Sequence, residues 1–435
     1  MTRAVVNPAR PGQLPSTPAG GAGHELRARW GLLLFAFFIM IASSGTWHSF
    51  SVFFVALLKD MGWDRSSTAG VFSVMVIVYG AAGIWCGALT DRIGARRVIL
   101  WGAGILAAGL LLDSQVRAPW HLYLSHGLVV GIGQAAVGWI PLTVVLPRFF
   151  RLGLGVAIGI VSAGAGFGIS TVVPLSQLLI AWFGWRVAMA LLAGLTLAVA
   201  VPLAVIGLRG AYGDPAPPPA GTPGPVWSEG GPTLAGALRG FRFWALAGGC
   251  FLMNLGCQML TVHHVAALVD AGVTRMVAAS MVGVMGLTSI PAKIGWGWLA
   301  DRLGRRATYS LGTLAFLAAV VRLGTIGETT SGAGIVLYGI LIGLGYSMPT
   351  SLTPLLTADF FRGAHYGSIF GTVNFVYQFG GALGVWLAGY LHDATGSYRV
   401  PLVLAAAVAV AAAGVIAGTP MGWGGPRRRL ASIVN

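Results

Sequence analysis

The segment LTSIPAKIGWGWLADRLGRR, residues 287–306, contains the two most informative features of this chain. It ends in a compact charged turn, DRLGRR (Asp301–Arg306), and a near-copy of that turn, DRIGARR, occupies Asp91–Arg97. The same segment holds Lys293, a single cation within an apolar run. Because the turn is duplicated and the lysine is not, we interpret the turn as architecture and the lysine as a functional residue.

The composition is that of a membrane protein. Of the 435 residues, 56% are hydrophobic and only 9% are charged, whereas soluble domains carry about 25% charged residues. Many apolar runs approach or exceed the ~20 residues that cross a bilayer as a helix. The net charge of +15 lies in short loops between these runs, where it is typical of a topology signal and argues against nucleic-acid binding. We therefore predict an all-α membrane protein surrounded by the lipid bilayer.

Twelve apolar spans are predicted, six in each half of the chain. They cover about 30–57, 68–90, 97–114, 120–147, 153–181, 185–208, 242–269, 275–299, 307–325, 332–357, 364–391 and 398–419. The predicted organisation is a disordered cytoplasmic tail (1–29), a six-helix bundle (30–208), a flexible cytoplasmic linker rich in Pro and Gly (209–241), a second six-helix bundle (242–420) and a basic cytoplasmic tail (421–435).

The two halves repeat each other at a nearly constant offset. GALTDRIGARR matches GWLADRLGRR at 210 residues, GIGQAAVGWIPL matches GLGYSMPTSLTPL at about 212, and FGWR matches GSYR at 213. This duplication predicts two six-helix bundles related by a pseudo-twofold axis along the membrane normal, with a central cavity between them. Secondary transporters have this design, in which two halves rock about a site near the midplane.

The distribution of positive charge predicts the orientation. With both termini and the linker placed inside, 19 Lys and Arg residues are cytoplasmic and 7 are external, and Lys293 is the remaining one of 27. Cytoplasmic loops are enriched in Lys and Arg. We predict a multi-pass protein of a bacterial-like inner (plasma) membrane with both termini in the cytoplasm.

The duplicated loop resembles the signature loop of the major facilitator superfamily, over about residues 30–420. Three further stretches resemble the monocarboxylate transporter family and its bacterial relatives, including oxalate/formate exchangers: GTWHSFSVFFVALLKDMGWDRS, PRFFRLGLGVAIGIVSAGAGFG and VHHVAALVDAGV. The resemblance implies the major facilitator fold and transport of a small organic anion.

The superfamily resemblance also implies a role for the loops. In the superfamily the loop aspartate is linked to a neighbouring helix end and to arginines, and it holds the cytoplasmic side closed. A carboxylate at a helix terminus can pair with guanidinium groups in a bidentate geometry. A charge cluster that only anchors the topology is the alternative. The predicted cytoplasmic gate comprises Asp91, Arg92, Arg96, Arg97, Asp301, Arg302, Arg305 and Arg306.

Lys293 is the main candidate for binding the substrate. It lies eight residues before Asp301, or about 12 Å along a helix, and a cation at that depth costs at least ~2.5–3.5 kcal/mol on insertion scales. The matching residue of the first half is Gly83, so packing does not require a cation there. No Asp or Glu lies deep in any predicted span, so we predict an anionic substrate. Snorkelling of the lysine is the alternative.

The family resemblance gives the same position a role, with two departures. In the family, span 8 carries an arginine here that binds the carboxylate, and an aspartate four residues earlier that functions in proton coupling. This chain has Lys293 and Ser289 instead. A bidentate fork is replaced by a point charge, and the proton-carrying acid is absent. Proton symport and exchange without a proton both remain open.

His48 in span 1 is the second candidate, for substrate binding and for proton coupling. Several family members have a lysine there, and histidine can hold a proton near neutral pH. A hydrogen-bonded core histidine is the alternative. His263 and His264, late in span 7, are further proton-coupling candidates. Other predicted substrate-binding residues are polar or amphipathic groups in apolar spans, which either contact the substrate or bond between helices: Gln258, Tyr346, Asn374, Tyr377 and Gln378.

The chain shows no catalytic constellation. Cys86, Cys250 and Cys257 fall inside apolar spans without metal-ligand spacing. We predict a non-enzymatic, functionally monomeric transporter without cofactor or metal, moving a small organic anion, expected to be a monocarboxylate, by alternating access. Export of hydrophobic compounds is the further alternative. A receptor or scaffold would be expected to carry a structured extramembrane domain.

Overall fold

The computed structural model describes residues 22–63, 65–150, 153–208, 231–327 and 329–419, and the regular elements in these ranges are helices. Nine of the predicted spans are single helices. These are span 1 (Trp30–Met61), span 2 (Arg65–Ile93), span 3 (Ala95–Asp113), span 7 (Phe241–Asp270), span 8 (Arg275–Leu303), span 9 (Arg305–Gly324), span 10 (Gly332–Phe361), span 11 (Tyr366–Thr395) and span 12 (Arg399–Gly418).

The other three spans are irregular. Span 4 consists of helices Pro119–Leu122, Gly131–Val137 and Trp139–Phe149 around a π-helical segment, Tyr123–Val130. Spans 5 and 6 form one helical run of 54 residues, Leu154–Gly207, interrupted at Gly184 (φ 78°, ψ 161°). Since 54 residues of helix would measure about 80 Å, the run is long enough for two crossings of a ~30 Å hydrocarbon core. We divide it into span 5 (154–183) and span 6 (185–207).

The predicted all-α membrane fold is confirmed. Within the described residues, ten helical stretches are long and apolar enough to cross a membrane, with Leu154–Gly207 counted as one of them. Span 11 is not among the ten, and its polar residues Asn374, Tyr377 and Gln378 lower its hydropathy. Large apolar side chains also cover the outer surface: Trp85, Trp101 and Trp182 are 60–68% exposed, which suits contact with lipid. The number twelve stays a prediction.

Each signature turn is a break at a single glycine. Span 2 ends at Ile93 and span 3 begins at Ala95, with Gly94 between them at φ 83°, ψ 153°. Gly304 separates spans 8 and 9 at φ 87°, ψ 156°. This region of backbone space is essentially open only to glycine. The two aspartates therefore lie in the last turn of a helix rather than in a loop.

Two segments predicted to lack packed structure contain short helices. Residues 22–28, within the tail predicted to be disordered, form a helix whose Leu26 packs beneath Gly153. Leu234–Arg239, within the predicted flexible linker, is a helix capped by Thr233, whose hydroxyl accepts from the Gly236 N–H at 3.1 Å. The capping residue explains where this helix begins. Residues 1–21, 209–230 and 420–435 lie outside the described ranges.

Replacing either turn glycine tests this description. Gly94→Ala or Gly304→Ala should each lower the free energy of unfolding by about 1–3 kcal/mol, because alanine strains at these dihedral angles. Gly104→Ala in span 3 is the matched control, since nothing lies within 4 Å of its added methyl group. Thermal unfolding in detergent measures the effect, and equal melting temperatures for all three variants would contradict it.

Candidate functional site between the two halves

The two halves meet along two pairs of helices that cross through glycines. In the first pair, span 2 approaches span 11. A Cβ added to Gly87 or Gly367 would clash with the main chain of the other helix, and a Cβ on Gly371 would clash with the main chain at Gly83. Small residues spaced four apart allow helices to pack this closely in membranes.

Span 5 crosses span 8 in the same way. Gly155 and Gly297 face each other, and a Cβ on Gly159 would lie 2.6 Å from the main-chain oxygen of Lys293. Lys293 and Gly297 thus take the places of Gly83 and Gly87 in the repeat. The lysine stands in the contact between the two halves, where its counterpart has no side chain.

The contacts at the two equivalent positions differ. A Cβ on Gly83 would lie 2.5 Å from Cδ1 of Ile140 in span 4. A side chain at position 83 would therefore require Ile140 to move. The main-chain oxygen of Lys293 accepts a hydrogen bond from the Ser351 hydroxyl of span 10 at 3.3 Å.

The Lys293 ammonium is buried and weakly bonded. The residue is 6% exposed, and Nζ donates to the main-chain oxygen of Ser162 in span 5 at 3.4 Å. Among the described residues, no carboxylate forms an ion pair with it. An ammonium carries three donors, so this single long hydrogen bond leaves capacity to bind an anion.

His48 lies near Lys293 but belongs to the other half. Its Nδ1–H donates to the main-chain oxygen of Ser44 at 2.8 Å, and the Ser44 hydroxyl donates to Ala165 in span 5 at 3.3 Å. This tautomer leaves Nε2 as the acceptor nitrogen. The ring is within electrostatic range of the Lys293 ammonium. The two predicted residues therefore lie on opposite halves, within electrostatic range of each other.

Asp91 binds the start of a helix in the other half. Its Oδ1 accepts from Arg148 at 2.8 Å, and its Oδ2 accepts from the Ser368 N–H at 3.2 Å, in the first turn of span 11. The first N–H groups of a helix lack partners within it, and the helix dipole favours an anion there. The carboxylate thus fastens span 2 to span 11 at this end of the bundle.

Asp301 makes the equivalent contact. Its two oxygens accept from the N–H groups of Gly155 and Val156, in the first turn of span 5, at 3.0 and 3.1 Å. Arg305 donates to it at 2.9 Å and lies 3.4 Å from Asp359. Each signature aspartate therefore binds a helix start that belongs to the opposite half.

The remaining predicted gate arginines are placed differently. Arg92 and Arg97 are exposed and Arg96 is half-buried. Arg302 stacks over the Trp298 ring at 4.4 Å, and Arg306 donates to the main-chain oxygen of Thr419.

The partner of Asp91 is Arg148, which the sequence reasoning did not assign to the gate. A signal for it exists in the repeat. RFF at 148–150 matches DFF at 359–361, which places Arg148 and Asp359 at equivalent ends of spans 4 and 10. In the structure, Arg148 pairs with Asp91 and Asp359 with Arg305, and both Asp91 and Arg305 belong to the predicted gate.

The polar residues predicted in spans 7, 10 and 11 differ in their contacts. Asn374 is 5% exposed and lies near the Tyr79 hydroxyl of span 2, a residue not predicted from the sequence. The amide nitrogen of Asn374 is buried, and no described residue meets it in hydrogen-bonding geometry. The Tyr79 hydroxyl is close enough to interact with Asn374, so the two side chains join spans 2 and 11 at the contact between the halves.

The other four of these residues are half-buried. The Tyr377 main-chain oxygen accepts from Asn254 at 2.7 Å, which joins spans 7 and 11, and the Tyr377 and Tyr346 side chains lie close enough to interact. Gln258 accepts from Thr261 in its own helix at 2.8 Å. Gln378 follows Tyr377 directly in span 11.

His263 and His264 face the interior of the second half. His263 bonds with the Tyr398 hydroxyl at 3.3 Å and donates from Nε2 to the main-chain oxygen of Val385 at 3.1 Å. His264 donates to the main-chain oxygen of Thr261 at 2.9 Å. Both line a small pocket with Leu323 and Pro401. The contacts found for the pair are within one half, away from Lys293.

Comparison with known proteins places this arrangement in a family. The family model described as Major Facilitator Superfamily matches residues 33–384 and 245–420, and the chain belongs to that superfamily. Monocarboxylate transporter 13 of Bos taurus is 29% identical over 406 residues, covering 93% of this chain and 90% of the relative. Monocarboxylate transporter 11 of Homo sapiens is 29% identical over 418 residues, covering 93% and 84%.

A solved structure supports the fold. A fucose:proton symporter from E. coli superposes with a TM-score of 0.66 at 14% identity, covering 90% of this chain and 98% of that one. The predicted similarity to monocarboxylate transporters and the predicted major facilitator fold are therefore confirmed. The bacterial branch of the family stays a prediction.

The aspartate contacts can be tested by hydrogen exchange. Asp301→Asn should speed exchange of the Gly155 and Val156 amides by about tenfold or more, because a hydrogen bond to a charged group contributes ~1.5–3 kcal/mol. Asp91→Asn should do the same for Ser368. Asp393→Asn, whose side chain is 87% exposed, is the control. Unchanged protection at these amides in both variants would contradict the cross-half contact.

Proposed function

We propose that this protein is a secondary active transporter that carries a small organic anion across the inner (plasma) membrane by alternating access, with a monocarboxylate as the expected cargo and both termini in the cytoplasm. The observation that supports it is the buried Lys293 ammonium, which has no carboxylate partner among the described residues and sits where spans 5 and 8 cross. An ionisable residue inside a membrane protein usually marks a substrate or ion pathway.

The geometry suggests how the halves work together. Asp91 and Asp301 hold the halves at the end assigned to the cytoplasm. An anion arriving from the opposite end would meet Lys293 of one half and His48 of the other. Its carboxylate would accept from the ammonium, and His48 could bind it as a donor when protonated. Release of the aspartate contacts would then open the cytoplasmic end.

The size of the charge favours a monocarboxylate. One lysine supplies one positive charge, and the second cationic group, His48, is titratable. The relatives are named as transporters of monocarboxylates. Asn374, which lies beside the Tyr79 hydroxyl at the contact between the halves, would add a neutral hydrogen bond from span 11. A dicarboxylate would be balanced only when His48 is protonated as well as Lys293, whereas a monocarboxylate needs Lys293 alone.

Substitution of the two lysines tests the proposal. In proteoliposomes, Lys293→Ala should reduce uptake of labelled lactate, pyruvate or acetate by about 10–100-fold. This factor corresponds to the free energy that a hydrogen bond to a charged group contributes. Lys293→Arg should retain part of it, since the charge is kept. Lys59→Ala is the control, because this exposed residue is the other lysine of the chain. Wild-type uptake in Lys293→Ala would exclude the anchoring role.

Exchange of one anion for another is the second candidate. Ser289, one turn before Lys293, donates to the main-chain oxygen of Gly286 at 2.8 Å and offers no acid there. A proton symporter accumulates labelled anion when the outside is made more acidic than the inside, even if the vesicles contain no unlabelled anion. An exchanger does so only when the vesicles are loaded with unlabelled anion.

A further inference from the structure

A buried ionisable cluster lies in the first half, far along the bundle from the gate. Span 3 begins beside Gly94, at the gate, and ends at Asp113, which is fully buried. Asp113 accepts from Ser125 Oγ on Oδ1 at 2.5 Å, and from Nδ1–H of His126 on Oδ2 at 2.7 Å. Ser125 and His126 are 5% and 4% exposed. Both belong to the π-helical segment of span 4, a conformation frequent at functional sites.

One atom of the cluster has no partner. His126 Nε2 is buried and forms no hydrogen bond with a described residue. The imidazole ring lies against the Phe50 ring of span 1, with centroids 4.5 Å apart and planes at 33°. With a neutral imidazole the buried cluster carries the full negative charge of Asp113, which is costly in an apolar setting. A proton on Nε2 makes the pair neutral, and an aromatic ring favours a neighbouring cation.

Few other ionisable groups surround the pair. Arg186 of span 6 donates to the main-chain oxygens of Ser114 and Val116 at 3.1 and 2.9 Å. His121, in span 4, is bonded through its ring to the Arg117 N–H and through its main-chain oxygen to Ser125. Tyr123 of span 4 lies beside Gly70. The described residues of span 2 that face Gly127 and Gly131, one and five positions after His126, are apolar: Val71, Val74, Met75 and Val78.

The repeat shows that the fold does not require the pair. At the offset of 210 found for the charged turns, the residue equivalent to Asp113 is Leu323. At the offset of 212 found for the span 4 motif, the residue equivalent to His126 is Tyr338. Both are buried, at 4% and 0% exposure. The first half of the duplicated structure therefore contains a buried Asp–His pair, and the second half packs without one at the equivalent positions.

We infer that Asp113 and His126 form a proton-binding site, in which His126 Nε2 takes up and releases the proton that accompanies the anion. The inference rests on the proposed transport function and supplies the acid that is missing near Lys293. Phe50 lies two residues after His48 in span 1. The charge on His126 is thus linked by a ring contact to the helix that carries the candidate substrate residue.

Transport measurements test the coupling. With labelled pyruvate in proteoliposomes, the wild type should reach about tenfold accumulation for a pH difference of about one unit. His126→Gln, Asp113→Asn and the double replacement Asp113→Leu/His126→Tyr should lose that accumulation but keep pyruvate counterflow. The double replacement introduces the residue types that the second half has at the equivalent positions, Leu323 and Tyr338, so it is the variant expected to pack best. His121→Gln is the control. Full pH-driven accumulation in the double replacement would overturn the inference.

A spectroscopic arm separates this inference from the transport proposal. The protein has eight histidines, so infrared difference spectra of the purified protein between about pH 4 and 9 contain bands from several imidazoles. Subtracting the His126→Gln spectrum from the wild-type spectrum should isolate the bands of His126, which His121→Gln should keep. If lactate, pyruvate and acetate are not transported but the His126 bands are present, the proposed function fails and the proton site stands. If pyruvate is transported and the bands are missing, the proton site fails and the transport function stands.

Discussion

The structure depends on two carboxylates that each bind the start of a helix in the opposite half. Asp91 accepts from span 11 and Asp301 accepts from span 5. A helix start presents N–H groups with no partner and a partial positive charge, so each contact satisfies a buried carboxylate and a buried helix end together. The contact requires main chains to touch, which is why glycines line both crossings. The two contacts are equivalent by the repeat, so both would have to break before the halves could separate at this end.

Much of this arrangement could be predicted because it depends on short sequence patterns and on the repeat. Apolar runs of about twenty residues predict the helices, and the constant offset near 210 predicts two equivalent halves. Both copies of the turn contain a glycine, but the role of Gly94 and Gly304 comes from the structure, which shows the backbone angles that essentially only glycine adopts. Lys293 stood out because burying a charge is costly and its counterpart in the repeat is a glycine.

The partners of these residues could not be predicted, since they depend on side chains brought together from separate helices. Asp91 pairs with Arg148 rather than with the arginines of its own turn. Asp113 lies at the end of predicted span 3 and is not among the predicted functional residues, because only the packed structure places it against His126. The π-helical segment also leaves no clear trace in hydrophobic periodicity. Short helices at 22–28 and 234–239 were missed because Pro- and Gly-rich flanks dominate the composition around them.

The asymmetry at Lys293 has a consequence for protein engineering. The crossing of spans 2 and 11 has Gly83 where the crossing of spans 5 and 8 has Lys293. A Cβ at position 83 would lie 2.5 Å from Cδ1 of Ile140. A second cation installed in the first half therefore calls for a smaller residue at position 140 as well, so that two substitutions, made together, would give the two halves matching charges.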